Sequence, residues 1–174
     1  MLLVRKISRA KWDSNFNIQR GLAKGEISAD AVTSDLRTQS NALSFWQCST
    51  DSSNSIEDAV LAITAAGDRL DKLDIVWLAD SELRSDGHSL KNTEGRTPVR
   101  DLVRMHVDIC KLDYVRLGKI VERVHHSVQD GRWRRFTKLE IKKLLASAII
   151  RGRIVPEHLG EGIRNEISKH IEKI

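Results

Sequence analysis

The feature that most constrains this 174-residue chain is a single periodic stripe in its second half. From Pro98 to about Ser127, at 100° per residue, Val99, Leu102, Val103, Val107, Ile109, Cys110, Tyr114, Leu117, Ile120, Val121, Val124 and Val128 share one broad apolar face. Arg100, Asp101, Arg104, Asp108, Lys111, Lys119 and Glu122 lie opposite it or at its margin. The spacing predicts one helix roughly 45 Å long, and Thr97-Pro98 supplies its start: a capping hydroxyl followed by proline at the first helical position. A turn is expected over Gln129–Arg135. A second helix follows it, with Thr137 and Glu140 as a capping box and Phe136 stapling onto Ile141. That helix is expected to end near Arg151-Gly152. A last helix after Pro156 carries Leu159, Ile163, Ile167 and Ile171 on one face. The second half therefore reads as three helices.

The first half alternates. Residues 2–7, 42–48 and 74–79 read as strands, the last apolar on both faces and so expected near the sheet centre. Between them, Ser28 caps a helix running to Arg37. Ser55, backed by Glu57 and Asp58, opens another that Gly67 ends. Residues 80–96 are polar and read as a loop or linker. The expected fold is thus α/β: a small three-stranded sheet in β-α-β-α-β order, then a helical C-terminal part of three helices. In domain terms, 1–95 is a small α/β domain and 96–174 a basic helical region packed on the sheet as one unit.

Composition excludes several classes. The chain is 40% hydrophobic and 30% charged, which suits a globular protein with a core of its own. No apolar run approaches the roughly 18 residues of a membrane span. The apolar part of Met1–Lys6 is too short for a signal peptide, so a cytoplasmic protein without membrane association is expected. Cys48 and Cys110 form neither a disulfide framework nor a zinc-ligand pattern, and no cofactor or metal is implied. The net charge of +5 is uneven. Residues 1–95 carry 11 basic and 14 acidic side chains, a net of −3; residues 96–174 carry 18 and 10, a net of +8. A basic surface attracts polyanions through counterion release, and acidic protein partners through complementarity.

The strongest local candidate for such contacts is Gly131–Lys138. Arg132, Arg134, Arg135 and Lys138 can pair with phosphates, Trp133 can stack on a base, and the helix opening at Thr137 offers free amides to an anion. Its structural counter-reading has Phe136 as a staple, Trp133 in the core and the arginines solvated. On the long stripe, His106 and Asp113 are the ionisable side chains near the middle. They stand about 10 Å apart along a helix, so they do not touch directly, and a satisfied core histidine is the favoured reading. His125 and His126 point about 100° apart and lack the neighbours to complete a metal set. Asp80 and Glu82 after the third strand, and Ser49, Thr50 and Asp51 after the second, read as solvated loop residues.

An arginine, a polar residue and a histidine six positions after the arginine recur twice, as Arg100-Asp101…His106 and Arg164-Asn165…His170. This resembles the R-x(4–6)-H signature of the HEPN ribonuclease families, over seven residues each time. The resemblance implies a helical bundle, a histidine as the acid/base group and an arginine stabilising the phosphate transition state. A separation of six places the two side chains about 120° apart on a regular helix. No Walker loop, nucleophile elbow or His-Glu-x-x-His is present.

The first expectation is therefore a non-enzymatic binding or adaptor protein. It would engage nucleic acid or an acidic protein through its basic half, as regulatory, antitoxin-like or defence-system components do. The alternatives are a small metal-independent ribonuclease of HEPN-like type, and a structural subunit whose apolar stripe buries against a partner chain as a homo- or hetero-oligomer.

Overall fold

Alternation of apolar side chains builds the first strand. In β1 (Leu2–Ile7), Leu3 and Ile7 enter one buried cluster and Val4 the other, as the period of two requires. The computed structural model describes residues 1–49 and 53–172. A 3-10 turn (Arg9–Trp12), α1 (Ser14–Gln19) and α2 (Ala29–Asp35) lead to β2 (Leu43–Cys48). Then come α3 (Ser53–Ala65), β3 (Leu73–Ala79), α4 (Asp80–Ser85) and β4 (Ser89–Asn92). A 3-10 turn (Arg100–Met105), β5 (His106–Cys110), α5 (Tyr114–Gln129), β6 (Trp133–Phe136), α6 (Lys138–Ile150) and α7 (Glu161–Ile171) complete the described chain.

The strands form one six-stranded sheet in the order β4-β5-β2-β1-β3-β6, and each described pairing is antiparallel. This replaces the expected small three-stranded sheet with three C-terminal helices. The alternation of strand and helix survives in another form. β2 and β3 both run antiparallel to β1, so they are parallel to each other with β1 between them, and α3 crosses over. By the same reasoning α5 links β5 to β6, which run parallel with three strands between them.

The long stripe is where the sequence reading fails. Residues 98–113 are not helical in the α sense: they hold the 3-10 turn and β5. In β5, Val107 and Ile109 are buried while His106, Asp108 and Cys110 are half-buried on the other face. Over five residues, this period of two also fits a wide helical face, so the two patterns merge. The real helix starts at Asp113, whose carboxylate accepts from the Arg116 backbone N–H at 2.8 Å. Just before it, Lys111 turns the chain at φ 57°. The expected loop 80–96 instead contains α4 and β4, and the expected turn 129–135 runs into β6. Ser28 precedes α2 without a side-chain cap, and Gly67 follows α3 without a positive φ. The Thr137–Glu140 capping box is formed as read.

Helices cover both faces of the sheet. On one, α3, α6 and α7 bury Ala62, Leu145 and Ile163 against Val4, Trp46 and Ile75. On the other, Ile120, Val124 and Val128 of α5 pack with Trp12 against Leu3, Phe45, Val76 and Ile109. Fully burying each valine, leucine or isoleucine side chain contributes about 1.5–3 kcal/mol. Among the described residues, no helix is long and apolar enough to cross a membrane.

Candidate nucleic-acid interface

The strand period splits the basic run. Because β6 alternates, Trp133 and Arg135 point to one side and Arg134 and Phe136 to the other. Each cation of the run has an acidic partner. Arg132 pairs with Glu82 at 3.1 Å and with Asp130 at 3.3 Å. Arg134 lies over the Phe136 ring at 4.2 Å and meets Glu140 at 3.2 Å. Arg135 grips Asp74 with two bonds of 2.7 and 2.8 Å, and Lys138 meets Glu166 at 2.8 Å. Trp133 is half-buried against the α5 cluster, with the Arg9 guanidinium 4.8 Å over its ring.

The charge asymmetry between the halves is thus partly internal. Arg123 to Asp86, Arg132 to Glu82, Arg135 to Asp74 and Arg153 to Asp58 all join the basic second half to the acidic first half. These pairs are partly exposed and individually modest, but together they orient α4, α5 and β6.

Cations without such partners gather elsewhere. A groove of about 390 Å³ opens where the end of β1, the C-terminal end of α3 and the loop into β3 meet. Lys6, Arg69, Lys72 and Arg135 line it, beside Asp71 and Asp74. Among the described residues, Lys6, Arg69 and Lys72 form no ion pair, and all three are exposed. Ile63 and Leu70 give the groove an apolar wall. A second hollow, also about 390 Å³, shares Lys6 and Ile63 with the first and reaches Arg5, Ser44 and Trp46 on the way to β2.

Arg5 explains why the sheet opens there. The β1–β2 ladder stops at Val4 opposite Trp46. Beyond it the Arg5 guanidinium takes over, donating to the Asp35 carbonyl at 2.6 Å and to the Ser44 carbonyl. Burial pulls the Arg5 pKa down to about 10, against the attraction of Asp35. The Asp35 carboxylate is itself held by Ser8 N–H at 2.7 Å and Trp12 Nε1 at 2.9 Å.

Next to this hollow, three strands present a polar row. Ser44, Asp108 and Lys91 stand opposite one another on β2, β5 and β4. Asp108 accepts from Ser44 Oγ at 2.8 Å and from Thr93 Oγ1 at 2.9 Å. Thr93 Oγ1 also lies 2.7 Å from His106 Nδ1. The His106 ring meets Trp46 edge-on, centroids 5.2 Å apart. Gly95 closes the loop over both: a Cβ there would collide with the Trp46 ring and come within 2.9 Å of His106 Cβ. Burial lowers the His106 pKa, opposed by Asp108 and aided by Arg5.

Of the other expected site residues, Arg100 is exposed in the 3-10 turn and His106 opens a strand, so this pair does not lie on a helix. Arg164 and His170 do share α7. The helical bundle implied by the HEPN resemblance is not the fold; an antiparallel sheet stands in its place. Asp113 caps α5 rather than meeting His106. His125 is buried and His126 exposed, and no group of three His, Cys, Asp or Glu among the described residues could hold a metal ion. Asp80 meets the N-terminal ammonium at 3.3 Å, while Thr50 and Asp51 lie outside the described residues.

Sequence reasoning missed Lys6, Arg69, Lys72, Ser44, Thr93 and Asp108 as site residues. They lie up to about a hundred positions apart, and no local spacing links them; strand pairing places Lys6, Ser44 and Asp108, and the loops at the strand ends bring in Arg69, Lys72 and Thr93. No protein-family model, no curated protein and no solved structure matches this chain.

Proposed function

We propose that the chain binds single-stranded nucleic acid along the groove between β1, α3 and β3. The observation that carries this reading is the set Lys6, Arg69, Lys72 and Arg135 lining one hollow, three of them free of ion pairs among the described residues. Phosphates are the ligand such a row suits, because each neutralised phosphate releases condensed counterions. The apolar wall of Ile63 and Leu70 offers a surface for a base. Of the run at 132–138, Arg135 borders this groove, but its guanidinium is matched by Asp74, so the binding charge comes from Lys6, Arg69 and Lys72.

The test is fluorescence anisotropy with fluorescein-labelled single-stranded RNA and DNA across a salt series. Binding that weakens with salt is expected. Replacing Lys6, Arg69 and Lys72 together by alanine should lower affinity at least tenfold and flatten the salt slope by about two, at roughly 0.7 per lost phosphate contact. Equal binding by this variant, or no binding by the natural chain, overturns the reading. Capture of an acidic protein in place of nucleic acid would assign the same cations to a protein partner.

A further inference from the structure

We propose that His106 is the base of an RNA-cleaving site beside this groove, taking a proton from a ribose 2′-hydroxyl; the proposal rests on the nucleic-acid reading above. A single hydroxyl proton sets the state of the ring. Thr93 Oγ1 stands 2.9 Å from Asp108 Oδ2 and 2.7 Å from His106 Nδ1. The ionised carboxylate of Asp108 accepts only, so Thr93 gives its single proton to Asp108. The short contact to His106 then requires a proton on Nδ1, donated to Thr93 Oγ1. In a neutral imidazole this leaves the lone pair on Nε2. Asp108 therefore fixes the tautomer through Thr93, while Ser44 Oγ holds its second oxygen at 2.8 Å.

The ring is also fixed in space and only half-buried. Trp46 packs against it at 5.2 Å, and the loop at Gly95 closes on both rings. Nε2 has no hydrogen-bond partner among the described residues and keeps contact with solvent, unlike the buried ring nitrogens of His88. Burial favours the neutral, basic form at pH 7; the charged groups acting on it are Asp108 of β5 and Arg5 of β1. Trp46 lines the hollow that Lys6 shares with the basic groove, so a strand bound there would bring phosphates to this end of the sheet.

The step balances without further reagents. Nε2 removes the 2′-hydroxyl proton and the oxygen attacks the adjacent phosphorus. An O2′–P bond forms as the P–O5′ bond breaks, and the departing O5′ takes a proton from water. The imidazolium returns its proton to the hydroxide so formed. The products are a 2′,3′-cyclic phosphate and a 5′-hydroxyl end. His106 is the catalytic residue, and Thr93 and Asp108 are positioning residues.

The experiment uses the full chain, labelled single-stranded RNA and DNA of the same sequence, and buffer containing EDTA. RNA should be cut to cyclic-phosphate ends and DNA left intact. His106→Gln should slow cleavage at least a hundredfold while anisotropy binding and circular dichroism stay as in the natural chain. In His106→Gly, added imidazole should restore part of the rate, which separates a lost base from a lost fold. Asp108→Asn should lower the rate and move the acid limb of its pH profile, which a purely structural role would not do. Undiminished cleavage by His106→Gln, or RNA bound tightly yet uncut by the natural chain, overturns this proposal and leaves the binding reading intact. RNA not bound at all overturns both.

Discussion

Two basic regions of the molecule, one dense in sequence and one scattered, differ in the charge that they leave free. Residues 132–138 hold four cations in seven positions, yet each of them meets a carboxylate. Lys6, Arg69 and Lys72 are scattered through the acidic half, yet they converge on one groove and form no ion pair among the described residues. Charge density along a chain is therefore not charge available to a ligand. An arginine already matched by a fixed carboxylate offers a phosphate little net attraction, since the pair must first be opened.

The largest effect that would break this comparison lies in binding. Replacing Arg132, Arg134 and Lys138 by alanine should change nucleic-acid affinity less than threefold in the same anisotropy assay that shows at least a tenfold loss for the groove variant. A larger loss from the first variant would reverse the assignment of the two regions. Stability should respond in the opposite sense. Arg135→Ala leaves the buried Asp74 carboxylate without its two-bond partner, and chemical denaturation should show a loss of about 1–3 kcal/mol. Asp74→Asn made together with Arg135→Ala should recover part of it. Thr137→Ala removes one arm of the capping box on α6 and should cost about 1 kcal/mol. Arg134→Ala alone removes a pair exposed on both sides and should cost well under about 1 kcal/mol.

The smallest effect at neutral pH concerns His88, and it grows on acidification. Neither ring nitrogen of this buried side chain has a partner among the described residues. Burial lowers its pKa, with Asp86 opposing and Lys119, Arg116 and Arg123 contributing. His125 is lowered by burial as well. The unfolded chain then binds protons that the folded chain refuses. Stability should be full above about pH 6.5 and fall as the pH drops below it. His88→Leu should flatten that decline in denaturation curves taken at several pH values; an unchanged slope would exclude His88 as its source.

How far the sequence could be read depended on how local the deciding interaction is. The Thr137–Glu140 box closes within four residues, and the structure forms it as spaced. β1, β2 and β3 carry their own apolar runs and appear within a residue of where those runs place them. β4, with the sequence Ser-Leu-Lys-Asn, has too little apolar pattern to announce a strand; it is one because β5 supplies its hydrogen bonds. β6 hides inside a basic run for the same reason and is made a strand by β3.

What could be read along the chain was local: the capping box of α6, the apolar strands of the first half, and a net charge of +5 with its excess in the second half. Val107 and Ile109 become strand residues through their neighbours, because a five-residue stretch satisfies a strand and a helical stripe equally well until a neighbouring strand pairs with it. The same pairing decided which charges are spent. Strand order sets Asp74 against Arg135 and Asp108 against Ser44, and leaves Lys6, Arg69 and Lys72 facing an open groove. Sequence distance carries no information about such meetings, since they are fixed by register between strands that the chain visits far apart.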